Sequence, residues 1–282
     1  MEILGRHEKA WKFRPTASYL GRTKTFVLSR CKSSFVVFDG RSMIIPENEY
    51  LQNVVLTHDR LQEKFVKDVI KKGDIVLDLG ANIGYWTCLF AELVGYSGKV
   101  FSFEPEPNNF KLLKKNVEMN GYKNVTLIQK AVANKTDKTL LYLTDNGTMD
   151  HRIYQPNQER ESIEVEVVKL DDYFKNLDVS IDFIKSNIQG ADFAAIEGMP
   201  QLFKKSKNLK MIVEFAPHMA KGFGSDPEEF IESLSNMGFK FYEVWWYNKK
   251  LKPIQPSLLK EYSHKNINTN LLCTKEEPHI LI

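Results

Sequence analysis

From about Leu61 onward, short apolar runs of strand length alternate with stretches of helical spacing, and this rhythm confines the chain to an α/β fold, a parallel sheet covered by helices on both faces. A helix is predicted from Leu61, where Leu61, Phe65, Val66, Val69 and Ile70 share one face and Lys71-Lys72-Gly73 closes it. Strands follow at Ile75-Val76-Leu77, Val100–Phe103 and Val125–Ile128, separated by helices through Tyr85–Leu93 and Phe110–Met119. A less regular stretch from Asn134 to Lys175 carries alternating segments around Leu140–Leu143 and Ile163–Val168. Alternation then resumes with Ile181–Ile184, a helix after Gly190, Met211-Ile212-Val213, a helix over Pro227–Met237, Phe239–Trp246 and a last run at Asn270–Cys273. The layout asks for about seven strands in one doubly wound sheet.

Before residue 60 the texture differs. Thr25–Leu28, Phe35–Phe38 and Met43-Ile44-Ile45 read as short strands separated by turn residues that include Asp39-Gly40. We therefore expect a small hairpin-rich attachment over 1–58 and the main domain over 59–282. With 282 residues and 43% hydrophobic content the chain has ample material for one large core, which argues against wholesale disorder. The net charge of +3 is small, and the lysine pairs Lys71-Lys72, Lys114-Lys115 and Lys249-Lys250 are scattered as on ordinary solvated faces, which argues against a nucleic-acid track. Cys31, Cys88 and Cys273 stand far apart with no C-x-x-C pair, so neither a disulfide framework nor a zinc cluster is expected. The charged start MEILGRHEKAWKFRP and the lack of any bilayer-length apolar run suggest a soluble, cytoplasmic protein.

The chemistry concentrates in Asp78-Leu79-Gly80-Ala81-Asn82-Ile83-Gly84, a glycine-bearing turn between strand and helix, with Glu104 twenty residues beyond Gly84 at the end of the next strand. In an open α/β sheet ligands bind at the carboxyl ends of the strands, where such a turn lets the backbone approach them. An acid at the end of the neighbouring strand is placed to accept hydrogen bonds from a ribose diol. The pattern describes an adenosine-type pocket. A dinucleotide fold would want glycine where Asn82 stands, and a P-loop would want lysine where Tyr85-Trp86 follow Gly84. Asp78 puts a carboxylate beside the turn, poorly placed for phosphates and well placed for a ligand with an ammonium and a sulfonium, which favours S-adenosylmethionine.

The blocks VLDLGANIGYWT, FSFEPEPNNF, DFIKSNIQGADFAAIEGM and IVEFAPHM, in that order and spacing, resemble the FkbM family of S-adenosylmethionine-dependent methyltransferases over about Leu61 to Glu243. The resemblance implies a class I methyltransferase fold, Rossmann-like, with a seven-stranded sheet whose last strand is antiparallel, and transfer to an oxygen of a small molecule or saccharide. It also implies that Asp78, Gly80, Ala81, Asn82 and Gly84 surround the methionine part of the cofactor, that Glu104 holds the ribose, and that Pro105 and Ala131 border the adenine. Glu63 matches an acid the family tends to carry, although a surface glutamate on an amphipathic helix accounts for it equally well.

One block departs from the family. Where D-V-E-G-A-E is common, this chain has Asn187-Ile188-Gln189-Gly190-Ala191-Asp192, so two carboxylates have become amides that accept hydrogen bonds but take no proton at neutral pH. Asn187 does not open an N-P-P-Y/F signature, so amino-group methylation by that mechanism is disfavoured. Methyl transfer is a direct displacement that needs alignment and, for a hydroxyl acceptor, a proton acceptor. Asn187, Glu214 and His218 stand where such groups should, after the fourth and fifth strands. His218 is the first choice for the base, because Glu214 would be the weaker base unless burial raised its pKa. Gly147–Tyr154 reads as an acceptor-binding loop or a solvated turn, and Trp245-Trp246-Tyr247 as a strand-end core cluster ahead of a sugar-stacking platform. No divalent metal is expected, Asp150 and Asp192 being the fallback ligands. Two other functions stay open: a nucleic-acid methyltransferase, and a cofactor-binding homologue without activity.

Overall fold

The computed structural model describes residues 27–29, 33–38, 40–46, 60–144, 149–245 and 250–278. Thr25, Phe26, Cys31, Gly147, Thr148, Trp246 and Tyr247, which entered the sequence reading, lie outside the described residues.

Strands β1 (Val27–Ser29), β2 (Ser33–Phe38) and β3 (Arg41–Pro46) form an antiparallel sheet. Helix α1 (Arg60–Val69) leads to β4 (Ile75–Leu79), α2 (Tyr85–Val94), β5 (Lys99–Phe103), α3 (Pro107–Met119) and β6 (Val125–Ile128). Then come β7 (Ala131–Val132), β8 (Asp137–Tyr142), β9 (Ser162–Val168) and α4 (Leu170–Phe174). The second half runs β10 (Phe183–Ser186), α5 (Asp192–Glu197), α6 (Pro200–Lys205), β11 (Lys210–Phe215), α7 (Pro217–Phe223), α8 (Pro227–Asn236), β12 (Lys240–Trp245), β13 (Lys250–Ile254), α9 (Pro256–Lys265) and β14 (Thr269–Thr274).

The main sheet has the order β13-β12-β14-β11-β10-β4-β5-β6. Its neighbours from β6 to β11 are parallel, and β14 inserts antiparallel to both β11 and β12, as the class I resemblance implied. The expected seven strands gain an eighth, β13, which forms an antiparallel hairpin with β12 at the edge. The strand order reverses between β4 and β10, so the crevice beyond their carboxyl ends is the topological switch point where such sheets bind ligands. The irregular stretch forms its own small sheet, β7-β9-β8.

The fourth parallel strand was expected over Ile181–Ile184, and β10 instead runs over Phe183–Ser186. Pairing with β4 puts Lys185 opposite Asp78 and Ser186 opposite Leu79, so the ladder continues two polar residues past the apolar run. That shift brings the buried Lys185 into the strand and sets Asn187 at its end.

One face of the sheet, with Leu77, Leu79, Phe101, Phe103, Met211 and Val213, packs on α5 and α8, whose Phe193 and Phe230 rings stack 3.9 Å apart. The other face, with Val76, Val100, Phe183 and Ile212, packs on α1 and α2 and also on Met43 and Ile45 of β3. Both β3 side chains are fully buried, and each such burial contributes about 1.5–3 kcal/mol, so the N-terminal sheet shares the core of the main sheet. Two asparagines one turn apart on α3 reinforce the contact. The Ile44 amide donates to Asn116 Oδ1 at 2.7 Å and the Ser42 amide to Asn120 Oδ1 at 2.8 Å, and each side-chain amide returns a bond to the same residue's carbonyl. The helix thus pairs with the edge of β3 as a neighbouring strand would.

Candidate functional site

β4 is buried on both faces, so the polar Asp78 in it must find partners within the protein. Thr87 of α2 donates to Asp78 Oδ2 at 2.6 Å. Asp78 Oδ1 is sealed from solvent with no hydrogen-bond donor, and the Lys185 ammonium stands 3.9 Å away, beyond hydrogen-bond reach. Burial pushes the Asp78 carboxyl up, while Lys185 and Thr87 oppose that shift.

After β4 the chain turns hard against its neighbours. Gly80 has φ +78°, and a Cβ there would lie 2.2 Å from the backbone oxygen of Asn187, so no side chain fits where the two strand ends meet. The amides of Gly80 and Ala81 both reach the Phe103 carbonyl, at 3.0 and 2.9 Å. Asn82 follows at φ +50°, a left-handed conformation that asparagine tolerates, and its amide donates to Glu104 Oε2 at 2.8 Å. Gly84, also left-handed, caps α2.

Glu104 leaves the end of β5 fully inside the protein. Its Oε1 accepts from the Glu106 amide at 3.0 Å, so each oxygen holds one backbone donor and has capacity for more. Burial pushes its carboxyl up to about 7, with the two backbone amides pulling the other way. Pro105 is partly exposed beside it, and Glu106 caps α3 through the Asn109 amide at 2.6 Å. Ala131 is buried in β7 opposite Val167. Glu63 is taken up elsewhere: its Oε1 accepts from buried Arg41 at 2.7 Å and lies 3.2 Å from Lys67, tying α1 to β3.

Across the switch point, the two amides that replace family acids bond to each other, Gln189 donating to Asn187 Oδ1 at 2.9 Å. Two carboxylates in those places would repel. Gln189 has φ +54° and Gly190 φ +98°, and a Cβ on Gly190 would lie 2.7 Å from the Met219 carbonyl of α7. Asp192 is buried and engaged by the Ser186 hydroxyl at 2.6 Å and the amides of Ile188 and Gly190.

Glu214, near the end of β11, has an Oε2 sealed from solvent and without a hydrogen-bond partner. Burial, and then Asp192, push its carboxyl up to about 7, against the pull of Lys185. The condition set for Glu214 as a base is therefore met. His218 is exposed on α7. The segment 149–160 lies against α7: Asp150 accepts from Arg152 and Arg160 at 2.7 Å each, and Tyr154 packs edge-on against Phe223 of α7. Sequence reasoning missed Lys185, although a lysine inside the apolar run I-D-F-I-K was a visible signal.

Among the described residues no group of three or more His, Cys, Asp or Glu side chains could hold a metal ion, and no helix is long and apolar enough to cross a membrane. Cys88 and Cys273 are free and buried, and burial pushes both thiols up.

The model of the FkbM methyltransferase domain matches residues 78–241, more than half of the chain and all of the site just described. The chain belongs to the FkbM methyltransferase family. S-adenosylmethionine is the methyl donor of that family, and the residues present fit such a ligand: a turn whose backbone is bared at Gly80, a buried acid at the second strand end with acceptor capacity to spare, and an undonated carboxylate oxygen on Asp78. The chain is 39% identical over 59 residues to a protein-L-isoaspartate O-methyltransferase of Methanococcoides burtonii, covering 21% of this chain and 29% of that one. The match thus spans less than a third of that relative's length. Among solved structures, a proposed rRNA methylase from Clostridium thermocellum superposes with a TM-score of 0.48 at 14% identity, covering 78% of this FkbM chain and 97% of that one. TYW2 of M. jannaschii in complex with AdoMet gives 0.46 at 12%, covering 87% and 86%.

Proposed function

We propose that this FkbM protein transfers the methyl group of S-adenosylmethionine to a hydroxyl oxygen of a small molecule or saccharide, with Glu214 taking the acceptor's proton. The cofactor supplies an electrophilic methyl on a sulfonium. Asp78, Gly80, Ala81, Asn82 and Gly84 would hold its methionine part and Glu104 its ribose, with Pro105 and the chain at Ala131 bordering the adenine. The observation that carries the reading is Glu214 Oε2, a buried oxygen with no hydrogen-bond donor on a carboxyl held at about 7. A base with that affinity is half-ionised near neutral pH, where proton transfer is most effective. Exposed His218 is the second choice, and Asn187, occupied by Gln189, would orient the acceptor through its remaining hydrogen-bonding capacity.

The test is transfer of labelled methyl to a panel of hydroxylated metabolites and saccharides at saturating cofactor. Glu214→Gln should slow turnover by about 10²–10⁴-fold and remove a rise in rate centred near pH 7. A second reading comes from the likeness to isoaspartate O-methyltransferases. A carboxylate acceptor is already ionised and needs no base. Full turnover of a hydroxylated substrate in Glu214→Gln with an unaltered pH profile would remove Glu214 as the base, whereas transfer to carboxylates and to no hydroxyl would overturn the hydroxyl acceptor.

A further inference from the structure

The first ladder bond of α2 runs from the Cys88 amide to the Gly84 carbonyl, so the Ile83 carbonyl stands just outside the helix and needs another donor. That donor is the side-chain amide of Asn116 on α3, 2.7 Å away. Asn116 is fully buried, and its other bonds go to β3: Oδ1 accepts from the Ile44 amide at 2.7 Å, and Nδ2 donates to the Ile44 carbonyl at 3.2 Å. Both donor hydrogens are thus committed, and a flipped amide would set its oxygen against two carbonyls. β3 reaches the same end of the turn a second time. Its Arg41, buried and paired with Glu63 of α1 and Glu92 of α2, has its guanidinium 5.9 Å from the centre of the Tyr85 ring, and Tyr85 directly follows Gly84. A Cβ on Gly84 would lie 2.7 Å from Leu113 of α3, so the turn also abuts that helix. The exit of the turn is therefore held by α3 and β3, while its entrance is held by the Phe103 carbonyl and Glu104. Between them Asn82 keeps φ +50°, a setting that persists where the surroundings fix it from both sides. β3 precedes the matched region 78–241, so part of this brace comes from outside the family domain.

We propose that Asn116 is a positioning residue for the cofactor: held in place by Ile44 of the N-terminal sheet, it fixes the Ile83 carbonyl and with it the turn Gly80–Gly84. Asn116 touches no ligand in this scheme. Its effect is to have the turn set before the ligand arrives, so that binding does not have to order it. The N-terminal sheet is then a working part of the site, because it orients the amide that orients the turn. The inference rests on the cofactor position proposed above and holds for either class of acceptor.

Calorimetry with S-adenosylhomocysteine on the full chain tests it, with denaturant midpoints measured alongside. Asn120 is the internal control. It clasps Ser42 as Asn116 clasps Ile44, but its other bonds go to the Asn116 carbonyl and the Cys88 sulfur, not to the turn. Asn116→Ala and Asn120→Ala should both lower the midpoint, since each frees one residue of β3. Only Asn116→Ala should also weaken the ligand, by about tenfold or more, while Asn120→Ala stays within about threefold of the native protein. Native affinity in Asn116→Ala, or equal losses in the two variants, overturns the positioning role. Where Asn116→Ala does not fold, nuclear magnetic resonance of the native protein decides. On adding S-adenosylhomocysteine the side-chain amide signal of Asn116 should shift together with the backbone amides of the turn, while that of Asn120 stays. A stationary Asn116 signal beside shifted turn amides overturns the proposal. Failure of the native protein to bind either S-adenosylhomocysteine or S-adenosylmethionine overturns it together with the cofactor position, a result distinct from native binding that ignores Asn116→Ala.

Discussion

The two halves of the crevice are finished to different degrees. At the ends of β4 and β5 the amides of Gly80, Ala81 and Asn82 all have partners, and both oxygens of Glu104 hold backbone donors. At the ends of β10 and β11, Asn187 and Gln189 bond to each other and Glu214 Oε2 bonds to nothing. The first half is a socket shaped by backbone before any ligand arrives, which keeps the ordering cost of binding low. The second half carries an unmet electrostatic demand, the condition of a group that completes its bonding only when a ligand is present.

The comparison breaks most severely if the socket is filled. Gly80→Ala would put a Cβ 2.2 Å from a backbone oxygen at a left-handed φ, and we expect a loss of about 3 kcal/mol or more, read as a lower denaturant midpoint, with cofactor binding lost as well. Next comes pH. Glu104 is held at about 7 in the fold against an ordinary 4.5, so the unfolded chain gives up this proton first. Stability from this group is therefore fully present below about 4.5 and is lost as pH rises through about 7, a change of roughly 3 kcal/mol in the cofactor-free protein. Urea midpoints between pH 5 and 8 should show the decline, and Glu104→Gln should flatten most of it. A parallel decline in that variant would assign the effect to Glu214 instead.

Smaller effects sharpen the contrast. Glu104→Ala removes a charge-assisted acceptor worth about 1.5–3 kcal/mol, so cofactor affinity should fall roughly ten- to a hundredfold, and unchanged calorimetry would remove Glu104 from the socket. His218→Ala should move turnover by less than about twofold, because an exposed side chain on α7 lies outside the buried demand around Glu214. A tenfold loss, with the rise near pH 7 abolished, would return the proton to His218.

The same division governs what could be read from the sequence. The socket was legible because its constraints are local: glycines where the backbone turns, and an acid at a fixed distance along the chain. The repeated β-α units likewise gave the sheet. The acceptor half was less legible because its properties arise from strands that are distant in sequence. Burial of Glu214 depends on β11 lying between β10 and β14, and the mutual bond of Asn187 and Gln189 depends on a left-handed turn that neither residue announces. Helices α6 and α7 escaped notice for a different reason: at six and seven residues they are too short to show a helical period.

Helix α3 joins two places that the chain otherwise keeps apart. Its cap is Glu106, whose amide serves Glu104, the acid proposed to hold the ribose, and its last turns carry the asparagines that clasp β3. The amide protons of Ser42 and Ile44 are therefore in the custody of a helix rooted at the proposed cofactor pocket. In hydrogen-exchange experiments these two protons would act as remote gauges of the pocket, slowing when a ligand steadies Glu104 although neither touches it. The N-terminal sheet is in this sense an indicator needle at the far end of a lever whose pivot is the proposed ribose site.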